Sequence, residues 1–331
     1  MRVLCGLFGK TRHAWYDQQW REQQDIFSDE IILQTVHIIR QQLPRVGTRK
    51  LQEMIAPTLS AHSIEVGRDY LFDLLARHRL LIRQRKRKAY TTDSRHWMRK
   101  YANLTRDLVI DRPEQLWVSD MTYIRIQNHW GYLSLITDAW SRKIVGFCLR
   151  SDMLAEGCIA ALQMALSNRA YPHQPLIHHS DRGAQYCCKQ YVGTLNAAGI
   201  AISMTEDGDP YENALAERVN GIIKGEFNLY SSQLSFDQTH ERVKQSISAY
   251  NAIRPHGSCD NLTPNQAHQT LTPLKKRWKT YPRLDSSPSA GPLPLKSKGR
   301  PLAYGEAKNS YLGPERYIST SQAPCIVVLR I

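Results

Sequence analysis

Asn213-Ala-Leu-Ala-Glu217-Arg-Val-Asn220-Gly-Ile-Ile-Lys224 is the stretch on which the reading of the chain turns. As a helix it has two faces. Asn213, Glu217, Asn220 and Lys224 form one polar stripe, and Leu215, Val219, Ile222 and Ile223 fall on the side that can be buried. An acid and a lysine on one stripe can be no more than a solvated face. The upstream sequence argues for more: Glu217 follows Asp181 with thirty-five residues between them, and Asp181 follows Asp120 in a strand-like run. Three carboxylates in strand, loop and helix contexts are the expected ligands of a metal site.

Working outward, Leu116–Ile126 is rich in β-branched and aromatic residues and reads as a strand. Tyr132–Asp138 and Lys143–Leu149 follow it as strands after turn-like breaks. Residues 155–169 read as a helix, Leu176–Ser180 as a short buried strand, Lys189–Ala198 as a helix and Ile200–Met204 as a strand. Three antiparallel strands followed by alternating helix and strand give an α/β fold with a mixed sheet. Upstream, a helix is expected from an Asp29 cap to a stop at Pro44. A second covers Thr48–Ile55 and closes at Pro57, and a third covers Val66–Leu80. Three short helices with a basic outer surface fit a helix-turn-helix, the third being the groove-binding candidate. The expected organisation is a lead-in (1–28), an all-α helix-turn-helix domain (29–82), a basic linker (83–112), the catalytic core (113–274) and a basic, Pro/Ser-rich, poorly ordered tail (275–331).

Charge is unevenly placed in this 331-residue chain of net charge +14. Residues 1–112 hold 21 Lys/Arg against 12 Asp/Glu, residues 113–274 hold 12 against 15, and residues 275–331 hold 11 against 3. Basic flanks around a mildly acidic centre point to a polyanion held by the flanks and carboxylate chemistry in the middle. Five of the six residues Arg83–Lys88 are basic, and Arg85, Lys86, Arg87 and Lys88 suit phosphate contacts. Seven cysteines without CxxC spacing exclude a disulfide scaffold and a zinc finger. No apolar run approaches the ~20 residues of a membrane span. The expected location is cytoplasmic, in association with the nucleoid.

Phosphodiester cleavage needs a deprotonated nucleophile and offset charge on both axial oxygens, which two Mg2+ ions provide. Magnesium prefers carboxylate and water ligands, so Asp120 from a strand, Asp181 from a strand end and Glu217 from a helix make a suitable set. Other groupings carry less. His178 and His179 point to opposite faces of their strand, Asp207-Gly-Asp209 lacks the ligand order of a calcium loop, and Ser180 has no nucleophile elbow. No Gly-rich phosphate loop is present.

Trp117-Val-Ser-Asp120-Met-Thr-Tyr-Ile124, His179-Ser-Asp181-Arg-Gly-Ala-Gln-Tyr186, and Asn213-Ala-Leu-Ala-Glu217 with Lys224 resemble the D,D(35)E signature of retroviral-integrase-like transposases. Tyr250-Asn-Ala-Ile-Arg254-Pro-His256 and Leu262-Thr-Pro264 resemble the segment that closes that core. The pattern is most similar to insertion-sequence transposases of the IS-three family, in their second-reading-frame (OrfB) product. Gly47-Thr-Arg49-Lys50-Leu51 and Arg77–Leu81 resemble its helix-turn-helix.

The resemblance implies an RNase H-like core with two Mg2+ (or Mn2+) ions on Asp120, Asp181 and Glu217. It implies nicking at element ends, then attack of the freed 3′-hydroxyl on a target, usually through a circular intermediate. Lys224 and Asn220 would contact DNA near the site, with Arg49 and Lys50 in the helix-turn-helix, and Arg182 and Arg254 would hold the strand or brace the core. Implied partners are double-stranded DNA, further copies of the chain in a synaptic complex, and the upstream-frame (OrfA-like) product. Three features depart from the family: the acidic loop Thr205–Glu212, the Pro/Ser-rich end, and the lack of a heptad zipper. The alternatives are a DNA-binding protein descended from such an element whose triad no longer works, and an RNase H-like nuclease acting on RNA/DNA hybrids.

Overall fold

A computed structural model describes residues 9, 11–82, 96–206, 213–229 and 233–277. Three helices come first: α1 (Arg12–Gln42), α2 (Thr48–Ala61) and α3 (Arg68–Arg77). A five-stranded sheet follows, made of β1 (Leu116–Ile126), β2 (His129–Asp138), β3 (Ile144–Arg150), β4 (Ile177–Ser180) and β5 (Ala201–Met204). Helices α4 (Ala155–Ser167), α5 (Ala184–Cys187) and α6 (Lys189–Ala197) lie between its later strands. Then come α7 (Ala214–Glu226), α8 (Phe236–Ala252) and α9 (Pro264–Gln269).

The sheet order is β3-β2-β1-β4-β5. β1, β2 and β3 pair antiparallel, whereas β4 runs parallel to both β1 and β5. This is the RNase H-like mixed sheet expected from the sequence, with β1 at its centre. Alternation sorts its side chains. Ile124, Ile126, Leu133, Leu135 and Ile144 join α7, α8 and the N-terminal helices in one apolar cluster. Trp117, Ile136 and Val145 point the other way, towards α4, α5 and α6.

Several boundaries move. The helix expected to start at Asp29 starts seventeen residues earlier, at Arg12, because Thr11 supplies the cap: its hydroxyl accepts from Ala14 N at 3.1 Å. Asp29 is mid-helix, where its carboxylate takes the Tyr70 hydroxyl at 2.8 Å and pairs with Arg77. Pro57 does not close α2, which continues to Ala61. The carbonyl that loses its donor belongs to Glu53, which is exposed and can turn to water, while buried Ile55 and Leu59 hold the turns on either side.

The segment expected as a linker is part of the core from His96 onward. Met204 N donates to Ala102 O, Leu104 N to Ser203 Oγ and His96 Nε2 pairs with Arg182 O, so the segment covers the exposed edge of β5. The helix-turn-helix expected as a separate domain shares its apolar cluster with the sheet. At the other end, Arg277 N donates to Gly257 O, so ordered contacts extend past 274. The tail from 278 on, the Arg83–Lys88 run and Asp207-Gly-Asp209 lie outside the described residues. Among the described residues, no helix is long and apolar enough to cross a membrane.

Candidate active site

The two aspartates share one level of the sheet. In the parallel β1–β4 pair Ser119 faces Ser180, so the next residues, Asp120 midway along β1 and Asp181 just past the end of β4, lie side by side. Neighbouring strands are ~4.8 Å apart, which brings the two carboxyl groups into each other's field. Asp181 is shaped locally: its Oδ1 accepts from Gly183 N at 3.0 Å, an Asx turn that leads into α5. A Cβ on Gly183 would sit 3.0 Å from that same oxygen, so only glycine leaves the carboxylate undisturbed.

Helix α7 lies across β1 and is pinned at two points. Asn213 Nδ2 donates to Ser119 O at 3.1 Å, and Asn220 Nδ2 donates to Asp120 Oδ2 at 2.7 Å. The two asparagines are two turns apart and Glu217 lies between them on the same stripe, exposed to solvent. The stripe read from the sequence is therefore real, but Asn213 and Asn220 are buried, Lys224 is half-buried and only Glu217 is fully open. Behind the site, Ser119 Oγ and Tyr191 OH both meet His178 Nε2, at 2.7 and 2.8 Å, tying β1 and β4 to α6.

Asp120 has its pKa pushed up to about 7, first by burial and then by Asp181, with Glu217 adding to it. Hydrogen bonds from Asn220 and from Met121 N, the latter at 2.9 Å, pull it back only in part. Asp120 thus senses both other carboxylates. They are not yet gathered: among the described residues no three His, Cys, Asp or Glu side chains form a ready ion cage. Asp120 is turned to Asn220 and Asp181 to Gly183 instead. The Oδ1 atoms of Asn213 and Asn220 are buried and have no hydrogen-bond partner among the described residues.

Of the residues expected on DNA, Arg49 is exposed at the start of α2, and Lys224 and Arg182 are half-buried near the site. Two of the expected DNA contacts, Asn220 and Lys50, need correction, and Arg254 takes the second of its two expected roles, the brace. Asn220 is buried and spends its amide on Asp120. Arg254 is buried and forms a two-pronged bond with Glu226, Nε and Nη2 each at 2.7 Å, with Nη1 meeting His256 Nε2. Its guanidinium braces the core and faces no solvent. Lys50 points inward to the same Glu226 at 3.9 Å, and burial and the Arg254 charge lower its pKa.

Glu226 was the residue missed. Burial would raise its pKa, but the bond and charge of Arg254 outweigh that and lower it. It lies nine residues past Glu217, half-way round the helix, so one helix presents an acid to the site and another to the N-terminal bundle. Its partners are twenty-eight residues ahead and far behind, which leaves no local signal. Glu114 is a second hidden acid, fully buried with His268 at 3.4 Å, Arg169 at 3.5 Å and the N–H groups of Ala170 and Tyr171.

Family models described as integrase core domain match residues 110–210 and 198–264. An uncharacterized 31 kDa protein of insertion element IS600 from Shigella sonnei is 33% identical over 267 residues, covering 79% of this chain and 96% of that one. Transposase InsF of insertion sequence IS3A from Escherichia coli K12 is 34% identical over 164 residues, covering 49% of this chain and 57% of its own length. The solved catalytic core of HTLV-2 integrase, in complex with magnesium, is 20% identical and covers 48% of this chain and 98% of that one, with a TM-score of 0.39. On the strength of the IS600 match along nearly the whole of that relative, and of the integrase core beneath it, the chain belongs to the IS3-type family of insertion-sequence transposases.

Proposed function

We propose that the chain nicks DNA at the ends of its insertion sequence and joins the freed 3′-hydroxyl to a target strand, using Asp120, Asp181 and Glu217 as the ligands of two divalent cations. The observation that carries this reading is the side-by-side placing of Asp120, within β1, and Asp181, at the end of the adjacent parallel strand β4, with Glu217 held on the helix pinned across β1. The donor set fits Mg2+, with Mn2+ as a substitute: it is all oxygen, and a buried carboxylate beside two others suits a hard divalent cation. When bound, the two ions offset charge on the attacking and leaving oxygens and make water or a hydroxyl nucleophilic at neutral pH.

The chain's own residues supply position. β1 and β4 fix the two aspartates, and Asn220 holds Asp120 in one rotamer, as partners behind a ligand commonly do. Glu217, open to solvent, is free to close on the site from the helix side. In the nicking step a water oxygen bonds to phosphorus and the 3′ oxygen leaves, taking a proton. In the joining step the 3′-hydroxyl oxygen attacks a target phosphate and displaces the target's 3′ oxygen. Lys224, Arg182 and Arg49 are proposed phosphate contacts, with Arg85, Lys86, Arg87 and Lys88 beyond the described residues. The three N-terminal helices are proposed to bind element ends, with further copies of the chain and an upstream-frame product as partners, in the cytoplasm at the nucleoid.

The test is cleavage of a labelled element-end duplex in Mg2+ or Mn2+ by the wild type, Asp120→Asn, Asp181→Asn and Glu217→Gln, with DNA affinity measured in parallel. Loss of nicking in all three with affinity retained is expected. Undiminished nicking by any one removes that residue from the site. Binding without nicking by the wild type, even with the upstream-frame product added, sinks the catalytic reading and favours a decayed, DNA-binding descendant.

A further inference from the structure

We infer that the aromatic end of the β1–β2 hairpin is a stacking platform for unpaired DNA bases beside the cut, with Trp130 and Arg125 at its centre. Alternation puts Met121, Tyr123 and Arg125 on the face of β1 that α4 packs against, opposite Asp120. Across the strand pair they meet Ser134, Tyr132 and Trp130 in turn. Helix α4 covers this face as far as Ser134, where a Cβ on Gly157 would lie 3.7 Å from the serine Oγ. Beyond that level the face is part exposed, and it carries three rings and an arginine.

The rings are held in place. Tyr123 stands edge-on to Trp130 and to Tyr132, with centroids 6.2 and 5.3 Å apart. The Arg125 guanidinium lies over the indole, 5.1 Å from its centroid, and its Nε donates to Gln127 O at 3.0 Å. Trp130 is still 44% exposed. An indole and a guanidinium plane both offer a flat surface to the π-face of a base, whatever the base is. Because the hairpin already fixes them, little side-chain freedom is left to lose on binding.

Position, charge and size choose the occupant. The Tyr123 hydroxyl donates to Met153 Sδ at 3.4 Å, and Met153 O accepts from Gln185 Nε2 at 3.1 Å, four residues past Asp181. The platform therefore adjoins the Asp181 turn. Along β1, Tyr123 is three residues past Asp120 and Arg125 five, ~10 and ~17 Å at ~3.4 Å per residue. A DNA strand also advances ~3.4 Å per nucleotide, so the rings lie about three to five nucleotides from a phosphate at the carboxylates. Among the described residues Arg125 meets no carboxylate, and Asp152 is taken up by Arg150 through two bonds of 2.8 Å. Even fully bared, three rings at ~150–250 Å² each fall short of the ~800 Å² that a protein partner covers on one side. The inference rests on the reading that this site cuts DNA, and it names unpaired bases as what is held there.

The test is fluorescence anisotropy of the full chain, without metal, on a labelled oligothymidine and on a duplex of equal length. Trp130→Ala should weaken oligothymidine binding at least about 5-fold, the low end for one lost stack, and leave duplex binding within about 2-fold. Trp130→Leu, which keeps an apolar side chain but no ring, should do the same, and Trp130→Phe should keep most of the affinity. Cross-strand pairs also steady a hairpin, so Tm is read alongside. A lower Tm with both affinities unchanged makes the cluster purely structural and overturns the inference. Equal loss on oligothymidine and duplex, or as large a loss in Trp130→Phe as in Trp130→Ala, overturns it too. On element ends, nicking by Trp130→Ala should fall on a fully paired substrate and recover when the three base pairs beside the cut are mismatched; a fall without recovery contradicts the platform. If the wild type nicks neither substrate, the catalytic reading fails, and the oligothymidine comparison still decides this one.

Discussion

Replacing Arg254 with Ala tests whether this arginine braces the core or holds DNA. Its side chain is 2% exposed and its partner Glu226 is 19% exposed, with both bonds at 2.7 Å. Breaking a buried pair by removing one partner costs ~3–5 kcal/mol, since the remaining charge is left uncompensated. Lys50, 3.9 Å from Glu226, and the residual exposure of that carboxylate place the expected loss at the low end, about 3 kcal/mol. For a unit of this size each kcal/mol moves Tm by roughly 2–4 °C, so a fall of about 6–12 °C is expected by circular dichroism. Arg254→Met with Glu226→Met should recover most of it, because neither charge is then buried. DNA affinity should keep its dependence on salt, whereas losing a phosphate contact would flatten the log–log slope by about 0.9. A Tm within 2 °C of wild type, together with a flattened salt slope, would refute the brace.

Three further outcomes follow from the same geometry. Asn220→Ala should cut the rate of nicking about 10–100-fold while leaving DNA affinity unchanged, as expected for a residue that orients a ligand. Gly183→Ala should slow nicking without unfolding the chain, because the new Cβ lands 3.0 Å from Asp181 Oδ1; a normal rate would show that Asp181 tolerates displacement. Stability should vary with pH through Glu114 and His268. Burial would raise Glu114, but bonds from His268, Ala170 and Tyr171 lower it below its ordinary 4.5, so its contribution is present above 4.5 and fades as pH falls through the folded value. Burial would lower His268, but bonds to Asp138 and Glu114 raise it above its ordinary 6.5, so its contribution is full below 6.5 and fades as pH rises through the folded value. This cluster should therefore stabilise most between pH 4.5 and 6.5, and His268→Asn should flatten the alkaline fall in a urea titration series.

The sheet was legible because alternation and β-branched runs are local signals: β1, Leu116–Ile126, matches the expected strand end to end. The helix of Glu217 was legible for the same reason, its apolar and polar residues sorting onto two faces within four turns. What escaped the sequence depends on long-range pairs. Asn220 offers the same amide to DNA or to a carboxylate, and only the fold brings Asp120 within 2.7 Å, a hundred residues away. For Arg254 the motif leaves holding the strand and bracing the core both open, and only the pairing with Glu226 decides for the brace. The early start of α1 was missed because its exposed half has no buried face to give a period, so Thr11 was the only cue.

The central claim, that Asp120, Asp181 and Glu217 form one cation site, is tested most directly by Mn2+ binding followed by electron paramagnetic resonance. Wild type, Asp120→Asn, Asp181→Asn and Glu217→Gln would be compared, each bound to an element-end duplex whose 3′ end lacks a hydroxyl so that no reaction occurs. The expected result is tight binding by the wild type and at least tenfold weaker binding by each variant. Equal binding by all four proteins would contradict the account.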